Sequence, residues 1–322
     1  MTDLALDDSL PPPDPGDHEP RPRFRDRVWL HVLLFVLTCA ATTFVGLGYY
    51  SSFLSDLGTL QVSAGLRSIG YGAWFSVPLM TIITAHEFGH YLACRRYGID
   101  ASLPYYLPMI PLSFLPLGIL SGTLGAVIRI REPIYSKRAL FDMAIAGPIA
   151  GFVVAVPALF LGMWLSKTGT LSPGFGVIEF GEPLGFRLAQ YLTFGGLPSG
   201  VALNAHPTAM AAWWGLFLTM FNLIPVLQLD GGHIAYAVLG RRSAVLTQIV
   251  LVFLIGLAIY DHIWALPAAI LGGLVFWLGP HHPPVLDEDL PLDRTRRRVA
   301  TLAVVMFVFS FTPVPIQILL SN

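Results

Sequence analysis

Seven apolar stretches, at roughly 28–50, 72–97, 139–166, 207–226, 243–260, 262–279 and 298–319, dominate the chain. Each comes close to the roughly 20 residues that span about 30 Å of hydrocarbon. Backbone in hydrocarbon finds no water, so such stretches must close their amide bonds internally as helices. An all-α polytopic membrane protein is expected, with about 7 transmembrane helices (6–7). Composition agrees: 54% of the 322 residues are hydrophobic and only 12% are charged, where a soluble domain carries about a quarter. The stretches 243–260 and 262–279 part only at Asp261 and predict a tight helical hairpin. Residues 103–118 are also apolar, but Pro104, Pro108, Pro111 and Pro116 forbid a helix. A short re-entrant or β element is therefore expected between the second and third spans.

Residues 1–27 hold six prolines among seven acids and arginines with nothing to bury, and read as a disordered cytosolic tail. They match neither a secretory signal nor an organelle transit peptide. Residues 28–322 read as one integral membrane domain. With the N-terminus in the cytoplasm, sixteen of the nineteen Lys and Arg fall at inside ends, and only Arg67, Lys167 and Arg187 lie outside. That asymmetry orients the chain with its C-terminus out. A net charge of -1 offers no basic face, so nucleic acid is excluded as a partner. Cys39 and Cys94 lie on different segments and are expected as free thiols.

The second span contains His86-Glu87-Phe88-Gly89-His90. Histidines four apart share one helix face, where both imidazoles reach a single metal ion such as Zn²⁺. Glu87, displaced around the helix, can take a proton from a water held there. Packing of satisfied polar residues at a helix interface is the alternative, but three ionisable groups inside a span are costly unless a site uses them. A third protein ligand is needed. Asp230 is the main candidate, because Pro225 and Gly231-Gly232 let the backbone unwind between Asn222 and Asp230. Asp230 could instead cap the short helix 232–239. Cys94, one turn beyond His90, and His233 are the other candidates; the remaining histidines read as solvated or interfacial.

His86-Glu87-Phe88-Gly89-His90, followed by Asn222-Leu-Ile-Pro225 and Asp230-Gly231, resembles the paired H-E-x-G-H and N-x-x-P-x-x-x-x-D-G motifs of the site-2 protease family, peptidase family M50. Phe141-Asp142 and Ala146-Gly147-Pro148 through Gly151 are similar to that family's third core helix. Gly122 to Arg131 resembles the branch of the plastid ethylene-dependent gravitropism-deficient and yellow-green proteases and their bacterial relatives. The resemblance covers about 72–240, the expected catalytic core. It implies an intramembrane zinc metalloendopeptidase acting on membrane-anchored protein substrates, with one Zn²⁺ per chain held by His86, His90 and Asp230. Glu87 would activate water as general base and acid, and Asn222 would hold substrate or oxyanion. Residence in a bacterial cytoplasmic membrane is implied as well.

Five further expectations follow. Gly147 and Gly151, four apart, let the third span approach the helix of His86 closely. Asp142 is expected to pair with Lys137 or Arg138. Thr123 to Arg131, rich in β-branched residues, predicts a strand that accepts an unwound substrate by β-augmentation. Glu87 lies eight residues before Arg95, roughly 12 Å of helix, so the site should open toward the cytoplasm. The cytosolic loop 280–297 reads as a solvated linker. A zinc-binding scaffold or transporter without proteolysis is the competing class; a transporter predicts repeated halves, and no convincing repeat is present.

Overall fold

The computed structural model describes residues 26–57, 66–109, 120–134, 136–170, 177–285, 287 and 291–319. The expected tail up to residue 25 and residues 110–118 of the expected re-entrant segment lie outside the described residues.

Helices carry the structure. They are α1 (Val28–Leu54), α2 (Ala73–Arg96), α3 (Lys137–Leu165), α4 (Leu184–Phe194), α5 (Pro207–Asn222), α6 (Asp230–Leu239), α7 (Ser243–Tyr260), α8 (Ala265–Leu278) and α9 (Arg294–Ser310). Four helical stretches are long and apolar enough to cross a membrane, by length and composition: Val28–Leu54, Ser68–Arg96, Lys137–Leu165 and Asp230–Tyr260. Among the described residues, strands form three antiparallel two-stranded ladders. These are β1 (Tyr105–Pro108) with β2 (Thr123–Val127), β3 (Lys167–Gly169) with β5 (Ala202–Asn204), and β4 (Val177–Phe180) with β6 (Ile316–Leu319). The strand expected within 123–131 is present as β2; its pairing with β1, the other two ladders and α4 were not expected.

Packing explains the arrangement. On α1 the buried residues His31, Thr38, Thr42, Gly46 and Phe53 repeat at helical spacing, while Trp29, Val32, Val36 and Phe44 face outward. Thr38 and Thr42 donate to the carbonyls of Leu34 and Thr38, so their hydroxyls are satisfied within the helix. Helix α5 lies at the centre, with Trp213, Trp214, Leu216 and Met220 buried against Phe75, Leu79 and Ile82 of α2 and Leu159 and Met163 of α3. Where α2 meets α3 the backbones touch: a Cβ on Gly89 would lie 2.5 Å from the Ala146 carbonyl oxygen.

Two helices end earlier than their apolar stretches. Helix α5 stops at Asn222 rather than 226, ahead of Pro225. The last helix stops at Ser310 rather than 319, because Pro313 and Pro315 deny it amide donors, and the chain turns into β6.

The Arg-bearing helix ends are tied together. Asp142 on α3 accepts Arg296 Nε at 2.8 Å and Nη2 at 2.6 Å from α9, and the Tyr97 hydroxyl at 2.5 Å from the end of α2. The partner found for Asp142 is thus Arg296 on another helix, 154 positions away, rather than the expected Lys137 or Arg138 of its own helix. Asp26, ahead of α1, binds Arg131, which also reaches Asp100 at 3.3 Å.

Candidate metal centre

Residues 82–90 of α2 are pressed between α3 and α5, which puts His86 and Glu87 among the buried residues. The helix sets His86 and His90 one turn apart with ring centroids 4.8 Å from each other and Nε2 atoms 3.1 Å apart. Glycines on α3 make room for them. A Cβ on Gly147 would lie 2.1 Å from His90 Nε2, and one on Gly151 3.3 Å from His86 Nδ1. The close approach expected from these two glycines is therefore present, and its beneficiaries are the imidazoles themselves.

Between α5 and α6 the chain unwinds. Pro225 has no amide to continue the helix, Leu227 takes a left-handed φ of 51°, and Val226 donates to the Ile224 carbonyl at 2.8 Å. Gly231 and Gly232 then sit directly on this turn, where a Cβ would meet the Leu223 and Leu227 carbonyl oxygens at 2.1 and 2.2 Å. Asp230 begins α6 without capping it: no side chain caps this helix. Its Oδ2 instead lies 3.3 Å from the Nε2 of both His86 and His90. Asn222, at the end of α5, places Nδ2 3.1 Å from His86 Nε2.

The protons on these groups follow from their partners. His90 Nδ1 lies 2.7 Å from the Met143 carbonyl, which can only accept, so Nδ1 carries the hydrogen and Nε2 presents a lone pair. The Asn222 amide donates to His86 Nε2, which is therefore an acceptor too. Two imidazole lone pairs and a carboxylate oxygen converge, all within 4.8 Å of one another. A single proton can serve one of these close pairs at a time. A tetrahedral ion with donors at about 2.0–2.1 Å sets them about 3.3 Å apart, against the 3.1, 3.3 and 3.3 Å found here. The donor set fits Zn²⁺.

Glu87 is buried beside this cluster, and the amide of Ile128, just past β2, lies within hydrogen-bonding reach of its carboxylate. The Tyr106 and Thr84 hydroxyls, 2.9 Å apart, tie β1 to α2 one turn earlier. The β1–β2 hairpin is thus fixed over the glutamate.

The other candidates are not among the converging donors. Cys94 is buried with Ala101, Ala139 and Met143, away from the donors, and both cysteines are free. His233 pairs with His282, His233 Nδ1 to His282 Nε2 at 2.7 Å. Three histidines read as solvated or interfacial have structural partners instead: His31 donates to the Pro104 carbonyl, His206 caps α5 by accepting the Thr208 amide, and His282 stacks on Tyr236. Nor is 280–297 a plain solvated linker. Val285 is buried, Asp287 accepts the Ser136 hydroxyl and the Lys137 amide at the start of α3, and α9 begins at Arg294.

A family model, Peptidase family M50, matches residues 74–260. The chain is 29% identical over 261 residues to a protein of Oryza sativa subsp. indica named "Probable zinc metalloprotease EGY2, chloroplastic", covering 77% of this chain and 44% of the relative. Against the Arabidopsis thaliana protein of the same name the identity is 28%, covering 79% and 45%. Against Arabidopsis thaliana "Probable zinc metalloprotease EGY1, chloroplastic" it is 26%, covering 73% and 42%. The chain thus spans less than half the length of these curated relatives. No solved structure matches it.

Proposed function

The chain belongs to peptidase family M50, and we propose that it is an integral membrane zinc metalloendopeptidase that hydrolyses peptide bonds in or near transmembrane segments of membrane-anchored proteins. The observation that carries this reading is the convergence of three lone-pair donors, from His86, His90 and Asp230, beside the buried Glu87. The proposed ligands of one zinc ion are those three residues. Bound zinc supplies Lewis acidity to the scissile carbonyl and acidifies the attacking water. Glu87 takes the proton of that water and passes it to the leaving amine. Asn222, an amide donor 3.1 Å from His86 Nε2, is placed to steady the oxyanion.

A helical substrate hides its carbonyls in i to i−4 bonds and must unwind before attack. Strand β2 is proposed to receive the unwound segment. Ser102 donates to the Arg129 carbonyl and Arg131 to the Asp100 carbonyl, so Arg129 and Arg131 turn their backbone toward the segment that leads into β1. By alternation Ala126 and Ile128 turn theirs to the other edge, where the Ile128 amide meets Glu87. A peptide paired along that edge runs past the general base.

Seven crossings with the N-terminus inside, a catalytic core over about 72–240 within the domain 28–322, and residence in a bacterial cytoplasmic membrane complete the proposal. The ties among the Arg-bearing ends of α2, α3 and α9 support the orientation, since they gather the positive charge at one end. The side chains of His86, His90 and Asp230 keep 8%, 12% and 16% of their surface exposed, which admits water.

The test is cleavage of tagged single-pass substrates in lipid vesicles by the wild type beside Glu87→Gln, with bound zinc measured in both. Cleavage by the wild type alone at equal zinc is the expected result. Zinc in both with no substrate cut would favour a non-proteolytic scaffold, and loss of zinc from Glu87→Gln would make Glu87 structural.

A further inference from the structure

Helix α8 ends at Gly279, whose φ of 82° lets the chain turn back across α6. The His282 ring stacks on Tyr236 with centroids 4.2 Å apart and planes 13° from parallel. The Val285 amide donates to the Tyr236 hydroxyl at 3.3 Å, and the Val285 side chain is buried against Leu140 and Tyr236. Two residues later Asp287 is anchored on the start of α3. The loop is held on both sides of His282, so that ring has one position.

Its protons are equally determined. His282 Nδ1 lies 2.7 Å from the Pro283 carbonyl, which can only accept, so Nδ1 carries the hydrogen and Nε2 is bare. His233 Nδ1 lies 2.7 Å from that bare Nε2 and must donate to it. The remaining nitrogen of His233, Nε2, is left as a lone pair with no hydrogen-bond partner among the described residues. His233 follows Asp230 by three residues and shares its helix face. His233 thus stands on the side of α6 from which Asp230 reaches His86 and His90.

We propose that His282 is a positioning residue for the candidate centre: it locks His233 as the Nδ1–H tautomer, so that the His233 Nε2 lone pair faces the site and accepts a hydrogen bond from the attacking water. This role rests on the hydrolytic reading above. A donor at that place would compete with the metal for lone pairs, whereas an acceptor orients water and leaves the metal its ligands.

The substitutions that separate this from simple packing are His282→Gln and His282→Leu. The glutamine carbonyl can accept the same hydrogen, and leucine cannot. Nitrogen-15 spectra of histidine-labelled full-length protein, with the His233 signals identified by their loss in His233→Ala, report the tautomer directly. The wild type and His282→Gln should show His233 protonated at Nδ1, and His282→Leu should lose that signature. The leucine variant should also lose about tenfold in kcat with KM and zinc content unchanged, the scale of outer-sphere effects, while glutamine restores the rate. An Nε2–H tautomer in the wild type overturns the proposal, as does equal behaviour of the Leu and Gln variants. The tautomer is read without any substrate, so a wild type that binds zinc but cuts nothing would sink the protease reading and leave the lock to be judged by its spectrum.

Discussion

The α2–α3 contact and the α7–α8 hairpin are both apolar helix pairs, yet they are built on opposite rules. At α2–α3 glycines are spent on contact: Gly89 meets the Ala146 backbone, and Gly147 and Gly151 meet the rings of His90 and His86. In the hairpin, Gly256, Gly272 and Gly273 have nothing within 4 Å of where a Cβ would lie, and Ile259, Tyr260, Phe276 and Trp277 face outward almost bare. Helix α2 is also the least apolar of the four candidate spans. Hydropathy alone therefore points away from the chemistry. What marks the working pair is polar residues made tolerable by close packing, and what marks the peripheral pair is its indifference to its own small residues.

The sharpest way to break this comparison is the same substitution in both regions. Gly147→Ala drives a methyl into the His90 ring and should abolish zinc binding and cleavage together. Gly272→Ala should leave both unchanged and, by removing a helix-interior glycine, raise stability by about 0.5–1 kcal/mol. Zinc content and thermal unfolding of the two variants read the contrast; a zinc-replete Gly147→Ala would show that α3 does not shape the centre.

Next in size is an effect on substrate alone. Ala126→Pro removes an amide from the edge of β2 that faces Glu87 while sparing the bonds of Arg129 and Arg131 to Ser102 and Asp100. Cleavage should fall about tenfold, the loss of one or two hydrogen bonds, with zinc retained. An unchanged rate would mean that substrate binds elsewhere.

How much of this was legible in the sequence depends on range. His86 and His90 could be read because a helix fixes residues four apart, and Asp230 because Pro225 and Gly231-Gly232 announce an unwound turn. Strand β2 showed in the β-branched run before Arg131, but its partner β1 lies in the Pro-rich stretch read as re-entrant. Contacts set by tertiary packing were invisible. Asp142 was matched to its sequence neighbours, but its partner Arg296 lies 154 positions away. The 11 residues of α4 are too few to span a bilayer and leave no long apolar run in the sequence. His282 looked like a loop histidine until the fold laid it on Tyr236.

The Asp142 tie gives a smaller prediction. Asp142→Asn keeps the shape but removes the charge that α9 and Tyr97 share. Because the pair is partly exposed, the cost should be about 1 kcal/mol, seen as a lower unfolding temperature whose deficit shrinks in high salt. A salt-independent loss would mean that packing rather than charge holds α9.

The smallest effect lies at the far end, where His206 caps α5 through a neutral Nδ1 that accepts the Thr208 amide at 3.2 Å. Burial pushes its pKa down to about 4, while in the unfolded chain it titrates near 6.5. As the pH falls from about 6.5 to about 4, the unfolded chain takes up a proton that the folded chain refuses, so stability declines across that window and this contribution levels off below it. His206→Asn keeps an oxygen to accept the Thr208 amide but has nothing to titrate there. Its unfolding temperature should fall less than that of the wild type between pH 7 and 5, and parallel curves would show that the cap carries no pH dependence.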